Sequence, residues 1–149
     1  MPATRPADVL HACGIPFEAS TEVLGEVVRL DVSLIADALA ALEESGFDFL
    51  VDLFATDTGE RLEVTWHLRA FAQRSDLYLK ALVDYDGSAP SVWETYPAAL
   101  YPEREAAELL GMTFTGHPNP KRLLTTDGTE PLLRKSVLIR TAEEVRRPS

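Results

Sequence analysis

One cysteine, Cys13, occurs among the 149 residues, so the chain can form no internal disulfide and cannot by itself ligate an iron–sulfur cluster. That usage fits a reducing cytoplasm. The histidines His11, His67 and His117 are scattered, without the close spacing of a metal site. The eight glycines are isolated: no G-x-G, no G-K-[ST] and no G-x-S-x-G occurs, so phosphate loops, dinucleotide folds and nucleophile elbows lack their signatures. Apolar runs such as Phe49-Leu50-Val51 and Leu132-Leu133 fall far below the ~20 residues of a membrane span. Residues 1–20 hold three prolines and no apolar export segment. Any membrane association is therefore expected through partners. Dense positive charge is missing too: 14 Lys and Arg face 24 Asp and Glu, for a net charge of −10, a poor match to nucleic acid.

What is present suffices for one compact domain. At 46% hydrophobic residues, folding is expected to bury roughly two thirds of the surface of the extended chain. The charge is uneven. Residues 1–86 carry 16 acidic and 6 basic side chains, whereas residues 118–149 carry 7 basic and 4 acidic ones. The basic tail is too sparse for a polybasic membrane anchor and reads most simply as a solvated terminus.

The hydrophobic pattern predicts an α+β fold: an antiparallel sheet with a helix packed on one face, then a C-terminal helix and an extended docking arm. Residues 1–21 read as a weakly ordered lead-in with a short helix near Ala7 to Ala12, residues 22–111 as the core, and residues 112–149 as the arm. Val23, Val27, Val28 and Leu30 suggest a first strand from Glu22 to Leu30. Ser33 is the expected N-cap of a helix bearing Leu34, Ile35, Ala38, Leu39 and Leu42, stopped at Gly46. Phe47, Phe49, Val51, Leu53 and Ala55 then fall on one side of a second strand. In Arg61 to Arg69 the alternation of Leu62, Val64, Trp66 and Leu68 with polar residues is complete. Asp57-Thr58-Gly59-Glu60 is turn chemistry short enough to force an antiparallel hairpin. Leu77, Leu79, Ala81 and Val83 mark a third strand of the meander. A helix is expected from about Ala98 to Leu110, with Ala99, Ala106, Leu109 and Leu110 for burial, Pro102 near its first turn and Gly111 as its stop. Met112 to Ser149 has four prolines and little periodicity, which is long for an idle loop and suggests a segment laid against another subunit.

Chemistry is sparse. His67, oriented by Asp52 or Asp57, is the one general-base candidate, but its place on the polar face of a strand fits a solvated cross-strand pair better. The dense constellation is Glu103-Arg104-Glu105, Glu108-Leu109-Leu110, Gly116-His117-Pro118 and Lys121-Arg122-Leu123-Leu124. Carboxylates in the first turn of a helix complement its dipole, and Arg104 has the fork to grip a carboxylate across an interface. A capped surface helix followed by a loop accounts for the same residues.

At these residues the sequence resembles the family of the 30 kDa-type subunit of NADH:quinone oxidoreductase (respiratory complex I). That signature asks for Glu-Arg-Glu, an acidic residue, two apolar residues, His or Lys, a basic residue and two aliphatics at fixed spacing. Glu103, Arg104, Glu105, Glu108, Leu109, Leu110, His117, Lys121, Leu123 and Leu124 meet it at each position. Phe47 to Leu53, Val64-Thr65-Trp66-His67-Leu68 and Pro90-Ser91-Val92 resemble further family segments. Glu130-Pro131-Leu132-Leu133-Arg134-Lys135 departs from the family's second block by one additional Leu and a missing Asp, and Pro102 displaces the usual aromatic.

The resemblance implies a non-catalytic structural subunit of the peripheral arm of a proton-translocating oxidoreductase, on the cytoplasmic side of the cell membrane. It implies no cofactor in this chain, with FMN, iron–sulfur clusters and quinone on partner subunits. The implied partners are the large subunit that forms the quinone site and the iron–sulfur subunits of the peripheral arm. The implied interface residues are Glu103, Arg104, Glu105, Glu108, His117, Lys121, Arg122, Arg134 and Lys135. An equivalent subunit of a membrane-bound [NiFe] hydrogenase or formate hydrogenlyase shares the signature. A stand-alone enzyme or ligand-binding domain using His67 is a remote alternative.

Overall fold

The computed structural model describes residues 3–137. Helix α1 (Pro6–Ala12) is followed by strands β1 (Glu18–Glu22) and β2 (Gly25–Arg29), helix α2 (Ile35–Glu44), and the long strands β3 (Phe49–Asp57), β4 (Leu62–Ala70) and β5 (Ser75–Val83). Strand β6 (Ser88–Pro90), helix α3 (Leu100–Leu110) and strand β7 (Thr113–Thr115) complete the described elements. Five strands form one sheet in the order β1-β2-β5-β4-β3, and β6 pairs with β7 in a small parallel ribbon.

The mixed α+β class holds, with the expected β3-β4-β5 meander at its centre. The sheet is not purely antiparallel, however. β2 joins β5 in parallel, Val27 opposite Tyr78, because the chain crosses through α2 and two further strands before it returns. The expected first strand, Glu22 to Leu30, is β2 preceded by a turn, and β1 lies almost wholly in the residues read as a weakly ordered lead-in. Glu22 pairs with Gly25 across a tight turn at Val23-Leu24, and apolar residues at that turn hide the break from a hydrophobicity reading.

Strand β4 follows the alternation: Leu62, Val64, Trp66 and Leu68 are fully buried, with Leu53 and Leu79 flanking Trp66 in register. Leu77, Leu79, Ala81 and Val83 of β5 are buried as expected. β3 departs from the pattern. Its register slips between Leu50 and Asp52, so Val51 is an extra residue and the faces exchange there. Leu50 and Leu53 therefore point inward, while Phe49 and Val51 are exposed, contrary to the simple period-two reading.

Helix α2 buries Ile35, Ala38, Leu39 and Leu42, the i, i+3, i+4, i+7 spacing of a single stripe. The cap is not Ser33. Asp31 accepts from the Ser33 N–H at 2.9 Å and starts a short 3-10 turn, Val32–Leu34, ahead of the helix. The opening residues are anchored more firmly than their composition suggests, since α1 packs on α2 with Leu10 fully buried. α3 packs against β3, begins at Leu100 after a 3-10 turn, and carries Pro102 in its first turn, where no backbone N–H is required. Gly111, at φ 72°, ends it in the left-handed region.

Candidate functional site

Two carboxylates of α3 are the only buried charged side chains among the described residues, and both belong to the signature. Glu103 is fully buried. The Ser91 hydroxyl donates to it at 2.5 Å and the Val92 N–H at 2.8 Å, so one helix side chain fixes the segment after β6. Burial pushes the Glu103 carboxyl above its usual range, and the bonds from Ser91 and Val92 oppose that shift. His117 lies 3.8 Å away with its side chain 3% exposed. Its Nε2 lies 2.8 Å from the Leu100 carbonyl and its Nδ1 3.0 Å from the Asn119 N–H, which puts a proton on Nε2 and leaves Nδ1 as an acceptor.

Glu108, further along the same helix, receives the arm directly. The backbone N–H groups of Leu123 and Leu124 donate to it at 2.9 Å, and the N–H and hydroxyl of Thr125 complete the cradle. Burial acts to raise the Glu108 carboxyl. The Thr125 hydroxyl and the three amides outweigh it and hold the group at about 2. Backbone amides of an otherwise irregular segment thus converge on one anion, and the segment gains a fixed shape without secondary structure of its own.

Arg104 sits between them and points along the helix surface. Its guanidinium donates to the carbonyls of Lys121 at 2.7 Å and Arg122 at 2.9 Å, and lies 5.8 Å over the Tyr101 ring. The fork that the sequence aims at a carboxylate across an interface is spent on carbonyls of its own chain. Arg134 repeats the device at the C-terminal end of α3, donating to the carbonyls of Leu110 (2.5 Å) and Gly111 (3.0 Å) and to Asp86 at 2.9 Å. The Lys135 N–H donates to Asp57 at 2.8 Å, which ties the arm to the β3–β4 turn. Asp57 also accepts from the Tyr85 hydroxyl at 2.5 Å, and this bond, with those from Lys135 and Gly59, keeps its carboxyl below the usual range.

Of the nine residues singled out from sequence, the structure therefore brings Glu103, Arg104, Glu108, His117, Arg122 and Arg134 into one intramolecular stitching. Arg122 itself donates to Thr125 and Thr129. Glu105, Lys121 and Lys135 present their side chains to solvent. Sequence reading missed Ser91, Thr125, Asp57 and Tyr85 as the other halves of these contacts; the Pro90-Ser91-Val92 segment was the one legible hint.

Chemistry elsewhere is structural. His67 is oriented by Asp76 at 3.0 Å, not by Asp52 or Asp57, and stacks on Tyr78 with ring centroids 4.2 Å apart. Arg69 clamps the same Asp76 at 2.8 and 3.2 Å, which makes a cross-strand ion cluster on the outer sheet face. A groove of about 600 Å³ runs over that face near Arg29, Arg61 and Lys80. Its cations are matched by Glu22, Asp84 and Glu63, so no cation is left over to select an anionic ligand. The cavity beside Glu103, Arg104 and His117 is about 120 Å³, well under the roughly 300 Å³ at which ligand pockets begin. Among the described residues no group of three or more His, Cys, Asp or Glu is placed to hold a metal, and no helix is long and apolar enough to cross a membrane.

The model of the family described as respiratory-chain NADH dehydrogenase, 30 Kd subunit, matches residues 26–142. The chain is 35% identical over 127 residues to an NADH-quinone oxidoreductase subunit of Rhodobacter capsulatus, covering 83% of this chain and 62% of that one. It is 40% identical over 100 residues to the subunit of the same name in Moorella thermoacetica, covering 62% and 68%. It is also similar to the trypsin-resistant fragment (1-134) of Nqo5, with 27% identity, a TM-score of 0.65 and coverage of 76% of this chain and 95% of that one. A chain of the membrane-bound sulfane sulfur reductase, an archaeal respiratory membrane complex, shares the fold at 24% identity and a TM-score of 0.71, covering 84% and 76%. The chain spans about half to two thirds of the length of the curated relatives it matches.

Proposed function

Because this chain belongs to the family of the 30 Kd subunit of respiratory-chain NADH dehydrogenase, we propose that it is a non-catalytic structural subunit of the peripheral arm of a proton-translocating NADH:quinone oxidoreductase. In this reading it braces the large quinone-site subunit near the iron–sulfur subunits, on the cytoplasmic side of the membrane. FMN, the clusters and quinone lie on those partners, and the chain acts in the enzyme only as part of the complex.

The observation that carries the reading is where the signature polar groups go. Glu103 is consumed in fixing Ser91 and Val92 to α3, Arg104, Glu108 and Arg134 in holding the arm to α3, and the small cavity beside them has no room for a substrate. A side chain spent on amides and carbonyls of its own chain rigidifies; it does not turn over a substrate. Rigidity is what a brace requires, since electron transfer depends on cofactors held at fixed separations by the protein around them.

The test is an affinity purification of the tagged chain from mildly solubilised membranes, with mass spectrometry of whatever co-purifies. A quinone-site subunit together with an NADH-oxidising module is the expected result. A nickel-bearing large subunit would place the chain in a hydrogenase-type complex instead, and a lone soluble chain would overturn the assembly reading. Arg104→Ala in the purified complex adds a finer measure: unchanged quinone reductase activity and unchanged subunit content would remove the anchoring role of that residue.

A further inference from the structure

Strand β2 is shorter than the strand it pairs with, and the difference leaves a slot in the sheet. β2 ends at Arg29, opposite Lys80, whereas β5 continues to Val83. The Leu30 N–H donates to the Lys80 carbonyl at 3.2 Å, which is the last rung between them. Backbone groups alternate sides along a strand, so Lys80 and Leu82 face the β2 side while Ala81 and Val83 face β4, opposite Val64 and Leu62. The Leu82 N–H and carbonyl therefore point into the slot, and among the described residues neither has a hydrogen-bond partner there.

The groove of about 600 Å³ opens at this slot, since Leu30, Ala81 and Leu82 all line it. Its volume falls within the roughly 300–1,000 Å³ of binding clefts. Phe17 and Leu34 add apolar wall beside the open backbone edge. The charges of the groove do not balance. Arg29 pairs with Glu22, Arg61 with Asp84 and Lys80 with Glu63, and the lining carboxylates Glu18 and Asp31 remain. Glu18 makes no ion pair among the described residues. Asp31 accepts from the Ser33 hydroxyl at 2.6 Å and the Ser33 N–H at 2.9 Å, which holds its carboxyl below the usual range and keeps it ionised. Arg61 acts on Asp31 at longer range but is itself held by Asp84 at 2.8 Å. Five carboxylates thus stand against three cations, an excess of two negative charges.

We propose that the groove docks an extended, basic segment of a partner subunit, which continues the line of β2 beside β5. Main-chain bonds to Leu82 hold the segment as an added strand, its apolar side chains cover Phe17, Leu34 and Leu82, and a Lys or Arg reaches Glu18 and Asp31. The proposal rests on the assembled-subunit role and gives that role a surface on the sheet body, apart from α3 and the arm. Three features together select this occupant. An open N–H and carbonyl on one strand edge are satisfied by another backbone, which an apolar or lipid ligand does not supply. The apolar walls suit the alternate side chains of such a strand. The excess of carboxylates, in a body with 16 acidic against 6 basic side chains through residue 86, attracts a cation and repels an anionic segment or an anionic bilayer.

Hydrogen exchange of the Leu82 amide reads the added strand directly. It is followed by mass spectrometry in the isolated full chain and in the purified complex. Fast exchange in the isolated chain, slowed by about ten-fold or more in the complex, is expected for an amide that gains a strand partner. Equal exchange in a complex that still contains its other subunits would overturn the docked strand while leaving the family role intact. A Leu82 amide already slow in the isolated chain would overturn the partner segment in favour of a segment of this chain. Failure of the tagged chain to recover any partner would overturn both the docking and the role it rests on. The charge is tested by combining Glu18→Gln with Asp31→Asn, which keeps a capping side chain at residue 31. Association of this double variant with complex purified from cells lacking the chain is expected to slow several-fold at low salt and little at high salt, as screening requires; an unchanged rate at low salt would overturn the basic character of the segment.

Discussion

The sheet body and the arm that follows α3 are held by opposite means. The body is an apolar core around Trp66, with its strands closed by backbone ladders. Among the described residues, the arm from Met112 onward buries only Met112 and Phe114 of its apolar side chains; it is fixed by Glu108 and Arg104, which bind its backbone, and by its own Arg134, which binds the end of α3. The contrast teaches that an irregular segment can be given a definite shape without a core of its own, provided that a neighbouring helix supplies charged groups at the right turns. Such a segment keeps its side chains free for other contacts.

The strongest way to break the contrast is at the body. Trp66→Ala removes the largest fully buried side chain and is expected to cost about 3–5 kcal/mol, read as a lowered urea midpoint with body and arm unfolding together. If the arm kept its amide protection after the body had melted, the arm would be an independent unit and the comparison would fail. Glu108→Gln attacks the other side. Losing a charged acceptor should weaken the cradle by roughly 1–3 kcal/mol. Hydrogen exchange at Leu123, Leu124 and Thr125 should accelerate while the amides of β4 and β5 keep their protection; uniform acceleration would show that arm and body are one cooperative unit.

Gly111→Ala sharpens the junction. A Cβ there would lie 2.8 Å from Pro131 and 2.9 Å from Arg134, at φ 72°, so helix end and arm cannot both keep their places. The backbone term alone is about 1–2 kcal/mol, and exchange of the Leu133 amide should rise before that of any sheet amide.

The smallest effect is on pH, and the two buried carboxylates have opposite signs. Glu108 is held below its ordinary value of 4.5, so its contribution is fully present above about 4.5 and is lost as pH falls toward about 2. Glu103 is held above its ordinary value, so the folded state binds its proton more tightly, and stability declines as pH rises from 4.5 through its raised value. Acidification from neutral to about 4.5 should therefore leave the arm attached, and further acidification should release it. In Glu103→Gln the decline on the alkaline side should vanish, as followed by thermal midpoints across pH.

The body was largely legible in the sequence. Alternation in β4 and β5 marks buried faces because a half-covered strand demands it, and Asp57 to Glu60 can only turn. β3 misled over Phe49 and Val51, since a bulge shifts the phase without any distinctive residue. The parallel pairing of β2 with β5 leaves no local trace at all. In the site, spacing revealed Glu103 and Glu108 as a pair with Arg104, but acidic residues early in a helix look like ordinary dipole partners. Their burial depends on amides supplied by residues 91–92 and 123–125, and backbone donors carry no letter in the sequence.

That parallel pairing has a consequence for how the chain is made. Val27 meets Tyr78 about fifty residues downstream, so a nascent chain can form the β1–β2 hairpin early but has nothing to close it against until β5 has left the ribosome. Until then Val27 and Val28, destined for full burial, face water beside an unpaired strand edge. The interval of synthesis between α2 and β5 is thus when this chain is most exposed to mispairing, and a translational pause before β5 has emerged would lengthen it.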